Sequence, residues 1–329
     1  MLKDANKTVM PLQRQRMGLS NSDSPGASVV QDYLINYEKK EAMKLLSFSY
    51  QGRDSWGAVV GDSVLDLGQA LPQYEGLVEY IAAGAYLNAA QDIKTLKPCA
   101  SLADITFLPV IPKPEKIICA VRNYMDHHQE VLAAGMHREL SEFPPIFLRV
   151  WRSQVAHGQP IVRPDVSESL DWEGELAVII GKGGRNIPEA EAFEHVAGYS
   201  CYNDASVRDW QFHAKQIASG KNFESTGGFG PWMVTADEIE PGRQLKLETR
   251  LNGEVVQSSH TGHMIFSIPR LINYASTIFT LQAGDVIVTG TPAGVGWSRK
   301  PPRFMKPGDV CEVEIEGVGV LSNTIAAQS

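Results

Sequence analysis

Glu173 and Glu175 stand two residues apart at the head of an apolar run, Leu176-Ala177-Val178-Ile179-Ile180-Gly181. On an extended strand residues i and i+2 share a face, so the two carboxylates are expected to project together. Side by side they repel, and they lead into a run that must be buried, where uncompensated charge is expensive. An arbitrary Glu-x-Glu is the solvated face of an edge strand; the location of this pair calls instead for a cation between them. Asp204, in Tyr202-Asn203-Asp204, ends a short apolar run ahead of a helical stretch. It offers a third oxygen ligand and equally suits a helix N-cap. Three carboxylates without a Cys or a clustered His set select a hard ion, Mg2+ or Mn2+, over Zn2+.

Strands must position these groups. Runs of β type include KIICAV, ELAVIIG, LKLETRLNGEVVQ, DVIVTG and DVCEVEIEGVGVL, and Asn252-Gly253 between two alternating runs predicts a tight hairpin. Helical periodicity covers Leu77 to Leu96, Tyr124 to Ala134, Ala205 to Gln216 and Ile268 to Thr277. Few helices among many hairpin-spaced strands do not make the βαβ alternation of a doubly wound sheet, so the fold class is α+β, predominantly β. No GxGxxG or GxxxxGK[ST] loop occurs to cradle a nucleotide phosphate. Three segments are expected: a polar arm over 1–42, a small α+β domain over 43–111 opening at Met43, and a catalytic domain over 112–329. The boundary is placed near Pro112, in the proline-rich LPVIPKPEK.

Across 329 residues the formal net charge is −8, with no Lys/Arg block. That balance argues against nucleic-acid and anionic-membrane partners, which need a positive face. Apolar runs stop well short of the ~18 residues of a spanning helix. Cys99, Cys119, Cys201 and Cys311 are scattered without CxxC pairs, so reduced thiols and a cytoplasmic setting are expected.

The ordered strings DWEGELAVIIG, YNDASVRDWQ, GKNF, GDVIVTGTPAGVG and KPGDVCEVEIEGVGVLSN resemble the fumarylacetoacetate hydrolase family, over about Lys116 to Asn323. The resemblance implies a mixed β-roll with a small N-terminal domain, usually a homodimer, and assigns Glu173, Glu175 and Asp204 as metal ligands. It also assigns a His-x-x-Glu pair on a short lid, here His127 and Glu130 after Arg122-Asn123-Tyr124. Three residues apart on a helix, the two share a face, and the carboxylate can orient the imidazole as a general base. His128, about 100° around the helix, is expected at the surface. The resemblance further implies Lys221 beside the metal site, steadying negative charge, Arg208 and Gln211 as substrate contacts, and Thr291 in the pocket-lining loop. Arg208 and Gln211 fall at i+4 and i+7 from Asp204, one face of the expected helix; an ion pair with a neighbouring carboxylate is the plainer role for Arg208.

Some positions depart from the family pattern. Arg149 replaces a common lysine, and its rigid fork suits a second substrate carboxylate. Asn123 stands where fumarylacetoacetases carry an aspartate, which weakens the case for fumarylacetoacetate as substrate. His263 stands where relatives often have an acidic residue.

The implied function is metal-dependent hydrolytic C–C cleavage of an acylpyruvate-like 2-oxo (1,3-diketo) acid through a stabilised enolate. A lyase or isomerase of aromatic catabolism (2-oxo acid decarboxylase, tautomerase or hydratase) needs the same ligands and dyad. A non-catalytic binding protein on the same fold is the third alternative.

Overall fold

The computed structural model describes residues 42–135 and 139–328. The arm expected over 1–42 lies, Ala42 apart, outside the described residues. A 12-stranded mixed sheet dominates. At its centre Gly174–Ile180 pairs antiparallel with Val196–Asn203 on one side and Val286–Val288 on the other. Ile117–Ala120 continues the sheet in parallel, and Ile146–Arg149 ends it. A five-stranded sheet of Glu254–His260, Lys246–Leu251, Val310–Ile315, Gly319–Ala327 and Ile161–Arg163 packs nearby. The Asn252-Gly253 hairpin forms, with both residues at positive φ, 53° and 81°.

Every residue of Gly174–Ile180 is buried, because the strand has a core on each face. Leu176, Val178 and Ile180 join Leu247, Val313, Leu321 and the helix residues Leu271, Ile272 and Ala275. Ala177 and Ile179 join Val286, Val288, Leu45, Ala58, Tyr80 and Ile81. Burial on both faces explains why this strand reads as a continuous apolar run rather than an alternating one.

That second core spans the expected boundary: the described residues from Ala42 onward form one compact unit, with Pro112 inside it. Lys44–Tyr50 pairs with Gly227–Thr235 inside the large sheet, and Leu77–Ala82 packs onto its core.

Two helices are shorter than their periodicity predicts. Leu77 to Leu96 breaks into Leu77–Ala82, Ala85–Asn88 and Ala89–Asp92, with Gly84 left-handed at φ 67° between the first two. Ala205 to Gln216 yields one turn, Arg208–Gln211, because Ser206–Val207 is taken as a strand by Leu170–Asp171. Ile268–Ile278 forms as expected, with the Ser267 side chain capping the Arg270 amide and Pro269 in its first turn. All four cysteines are free thiols. Among the described residues no helix is long and apolar enough to cross a membrane.

Candidate active site

The register of the two central strands assembles the carboxylates. Gly174 pairs with Asn203, so the residues flanking that pair meet at the sheet's end: the Asp204 amide donates to the Glu173 carbonyl at 2.8 Å, and the Glu173 amide to Asn203 Oδ1 at 3.0 Å. Glu173, Glu175 and Asp204 are 6, 1 and 1% exposed, and each offers an oxygen within 4.8 Å of the others. Asp204 is no N-cap, since the following helix starts at Arg208 with Val207 in that position.

Buried cations knit the cluster. Lys221 Nζ bridges Glu173 Oε2 at 2.7 Å and Asp204 Oδ2 at 2.6 Å. Arg208 reaches Glu173 Oε1 at 2.6 Å and Asp171 Oδ2 at 2.8 Å, and Arg149 binds Asp204. Burial opposes ionisation of Glu173, but Lys221 and Arg208 outweigh it and hold its carboxyl down, at about 2. Glu175 goes the other way. Burial, then Asp204 and Glu173, push its carboxyl well above the ordinary range, and its hydrogen-bond donor is the Gly290 amide. Asp204 and Glu173 outweigh the desolvation of Lys221 and favour its charged form.

Four buried carboxylates, counting Asp171, therefore meet three cations, Arg149, Arg208 and Lys221. The surplus falls on Glu175. Each carboxylate oxygen keeps a second lone pair, so the triad fits a hard divalent ion that would relieve Glu175.

Across the cavity lies the helix Met125–Ala133. His127 Nδ1 meets Glu130 Oε2 at 2.8 Å, while Glu130 Oε1 accepts from the Gly294 amide at 2.9 Å and Ser298 Oγ at 2.7 Å. Burial would raise the Glu130 carboxyl, but these three partners hold it below its ordinary value. Asn123 fixes the chain entering the helix. Fully buried, it donates to the Phe266 and Thr289 carbonyls and accepts from the Phe266 amide. His128, expected at the surface, is buried at 7% exposure and borders a small pocket together with Ile265 and Phe266; burial, then Arg122, lowers its pKa.

One cavity of about 710 Å3, counting its open mouth, is lined by the triad, His127, Lys221, Arg208, Gln211 and Thr291. Arg208 Nη1 donates to Gln211 Oε1 at 2.9 Å, so the two act together although the longer helix does not form. Thr291 Oγ1 donates to the Gly174 carbonyl at 3.0 Å and accepts from Gln257 at 2.8 Å. Arg149 does not line the cavity. Its guanidinium is spent behind Asp204 on that carboxylate, Ser153 Oγ, the Ala205 carbonyl and Thr226 Oγ1. His263 packs against His260 with ring centroids 3.7 Å apart and the ring planes tilted by 39°, and neither lines the cavity. Sequence reasoning missed Asp171, Gln257 and Trp297. Asp171 opens the DWEGE string and Trp297 follows Gly294-Val295-Gly296, so proximity to motifs was their signal.

Known proteins resemble this chain in both sequence and fold. The family described as fumarylacetoacetate (FAA) hydrolase C-terminal matches residues 116–326. Over 301 residues the chain is 37% identical to oxaloacetate tautomerase fahd2, mitochondrial, of Xenopus laevis, covering 88% of this chain and 93% of that one. The solved fumarylacetoacetate hydrolase of Exiguobacterium antarcticum is 36% identical, with a TM-score of 0.76 over 87% of this chain and 100% of its own. Maleylpyruvate hydrolase from Sphingobium sp. SYK-6, solved with manganese (II) ion and pyruvate, is 27% identical with a TM-score of 0.72, over 87% and 100% of the two chains. Motifs, fold and matches together make this chain a member of the fumarylacetoacetate hydrolase family.

Proposed function

We propose that this protein is a divalent-metal-dependent tautomerase of a small dicarboxylic 2-oxo acid, oxaloacetate being the first candidate. The observation that carries it is that His127, its Nδ1 committed to Glu130, lines the same cavity as the acidic triad. Nε2 is thus the ring nitrogen left for proton transfer. The relative from Xenopus laevis, named an oxaloacetate tautomerase, supports the choice of substrate.

Glu173, Glu175 and Asp204 would hold Mg2+ or Mn2+, which polarises a 2-oxo group and offsets the charge of its enolate. Around it the protein's own groups divide the work. Arg208 and Gln211 receive the substrate carboxylate, with Arg208 aimed by Asp171 and Glu173. His127 takes the proton from the carbon next to the oxo group. The C–H electron pair becomes the C=C bond, the oxo oxygen takes the charge and then the proton that His127 has accepted, and in the reverse direction His127 takes it from oxygen and returns it to carbon. Glu130, kept ionised by Ser298 and Gly294, stabilises the imidazolium formed in between. Lys221 adds a fixed positive charge beside the reacting end.

A second reading keeps the dyad but gives it water: hydroxide formed at His127 would attack an acylpyruvate and cleave a C–C bond. Its support is the fold shared with maleylpyruvate hydrolase. Loss of the ultraviolet absorbance of enol-oxaloacetate, followed with Mn2+ and then with excess chelator, tests the first reading. It requires acceleration that the chelator removes; hydrolysis of acylpyruvates with no effect on the enol would transfer the assignment to the second. A homodimer is part of the proposal, to be checked by light scattering.

A further inference from the structure

Asp171 aims Arg208, but Arg208 is not its only partner: it is fully buried, and its side chain also accepts from the loop that follows Gly294. Oδ2 accepts from Arg208 Nε at 2.8 Å and the Trp297 amide at 3.0 Å; Oδ1 accepts from the Gly296 amide at 2.7 Å and the Trp172 amide at 2.9 Å. Asp171 therefore holds the loop Gly294-Val295-Gly296-Trp297-Ser298 as well as the arginine. The same loop fixes the lid: its Gly294 amide and Ser298 hydroxyl are the two donors on Glu130 Oε1. Trp172, the residue after Asp171, closes the circuit with Nε1 on the Gly294 carbonyl at 3.1 Å. The fit leaves no slack at Gly296, where a Cβ would lie 1.9 Å from the Arg303 carbonyl oxygen and 2.6 Å from Asp171 Oδ1.

We infer that Asp171 is a positioning residue for both halves of the site, setting Arg208 directly and the His127–Glu130 pair through the loop Gly294–Ser298. Substrate recognition and proton transfer then share one buried carboxylate, and disturbing it loosens both. The kinetic form of this inference rests on the tautomerase reading; the binding form does not.

The test compares wild type, Asp171→Asn, Ser298→Ala and the double variant, measuring kcat with oxaloacetate and calorimetric affinity for oxalate on Mn2+-loaded protein. In Asp171→Asn an amide NH2 faces N–H donors, so oxalate affinity is expected to fall about 10- to 100-fold, the cost of charge-assisted bonds, and kcat to fall with it. Ser298→Ala is expected to lower kcat about 10-fold and leave oxalate affinity unchanged. Because both variants release the same loop, the double variant loses less in kcat than the product of the two. Multiplying losses, or a wild-type kcat in Asp171→Asn, would overturn the link to the lid; unchanged oxalate affinity would overturn the link to Arg208. If Asp171→Asn does not fold, Gly296→Ala carries the test, since it unseats the loop while keeping the carboxylate, and must lower both quantities. Should wild type leave oxaloacetate untouched while oxalate affinity follows the expected pattern, the tautomerase reading fails and the role of Asp171 toward Arg208 stands.

Discussion

In the floor of the cavity, Glu173, Glu175 and Asp204 sit where two strands buried on both faces come to an end, and Lys221 and Arg149 or Arg208 pin two of the three carboxylates. In the lid, one helix of nine residues starts at Tyr124 without a side-chain cap and leaves Met125 and Leu132 exposed. It is held by Asn123 at its entry and by the loop on Glu130. The floor holds its charges among buried partners; in the proposed reaction the lid carries the group that changes its protonation state. Ion binding and proton transfer should therefore be separable by mutation.

The largest effect is expected from the floor. Glu175→Gln replaces a carboxyl that burial already disfavours as an anion, so the fold survives, but a ligand is lost. Calorimetry should show no Mn2+ binding, and turnover should fall by about 10³-fold, the weight of several kcal/mol of charge stabilisation. His127→Ala should lower kcat by about 10²-fold, the lower end of general acid–base catalysis, while Mn2+ affinity stays at the wild-type value. An equal loss of Mn2+ affinity would erase the distinction between floor and lid.

Asn123→Ala should act on stability first. It strands the Phe266 amide and the Phe266 and Thr289 carbonyls in the interior, costing about 2–4 kcal/mol, read as a lower Tm in a thermal melt. A Tm equal to wild type would mean that the lid does not depend on this anchor. The smallest effect concerns acid. The Glu130 carboxyl is held below its ordinary value, so its contribution to stability is complete above that value and is lost as pH falls through the folded one. The Tm gap between wild type and Glu130→Gln should accordingly shrink below about pH 4; a gap that widens there would contradict the sign.

The floor was more legible in the sequence than the lid, for physical reasons. Two-residue spacing before an apolar run brings Glu173 and Glu175 together, and Asp204 stood as a third oxygen ligand or an N-cap until the pairing of Gly174 with Asn203 placed it beside them. In Tyr124 to Ala134 the three-residue spacing to Glu130 singles out His127 only once the family resemblance supplies the pair, and the burial of His128 depends on the fold around the helix, which that segment does not contain. Arg149 was misplaced because its partners lie 55 and 77 residues away, at Asp204 and Thr226. The helix over Ala205 to Gln216 gave way to a strand pairing with Leu170–Asp171 that no local propensity announces. Pro112 read as a domain boundary because prolines punctuate the chain there, whereas the pairing of Lys44–Tyr50 with Gly227–Thr235 is long-range.

In the proposed reaction His127 moves a proton at the carbon beside a 2-oxo group without breaking a C–C bond, and proton NMR of oxaloacetate in D2O with Mn2+-loaded enzyme follows that proton. Enzyme-accelerated deuterium entry at C3, no accelerated pyruvate formation, and loss of the exchange in His127→Ala are expected. Accelerated C–C cleavage without prior exchange, or exchange that persists in His127→Ala, would contradict this reaction.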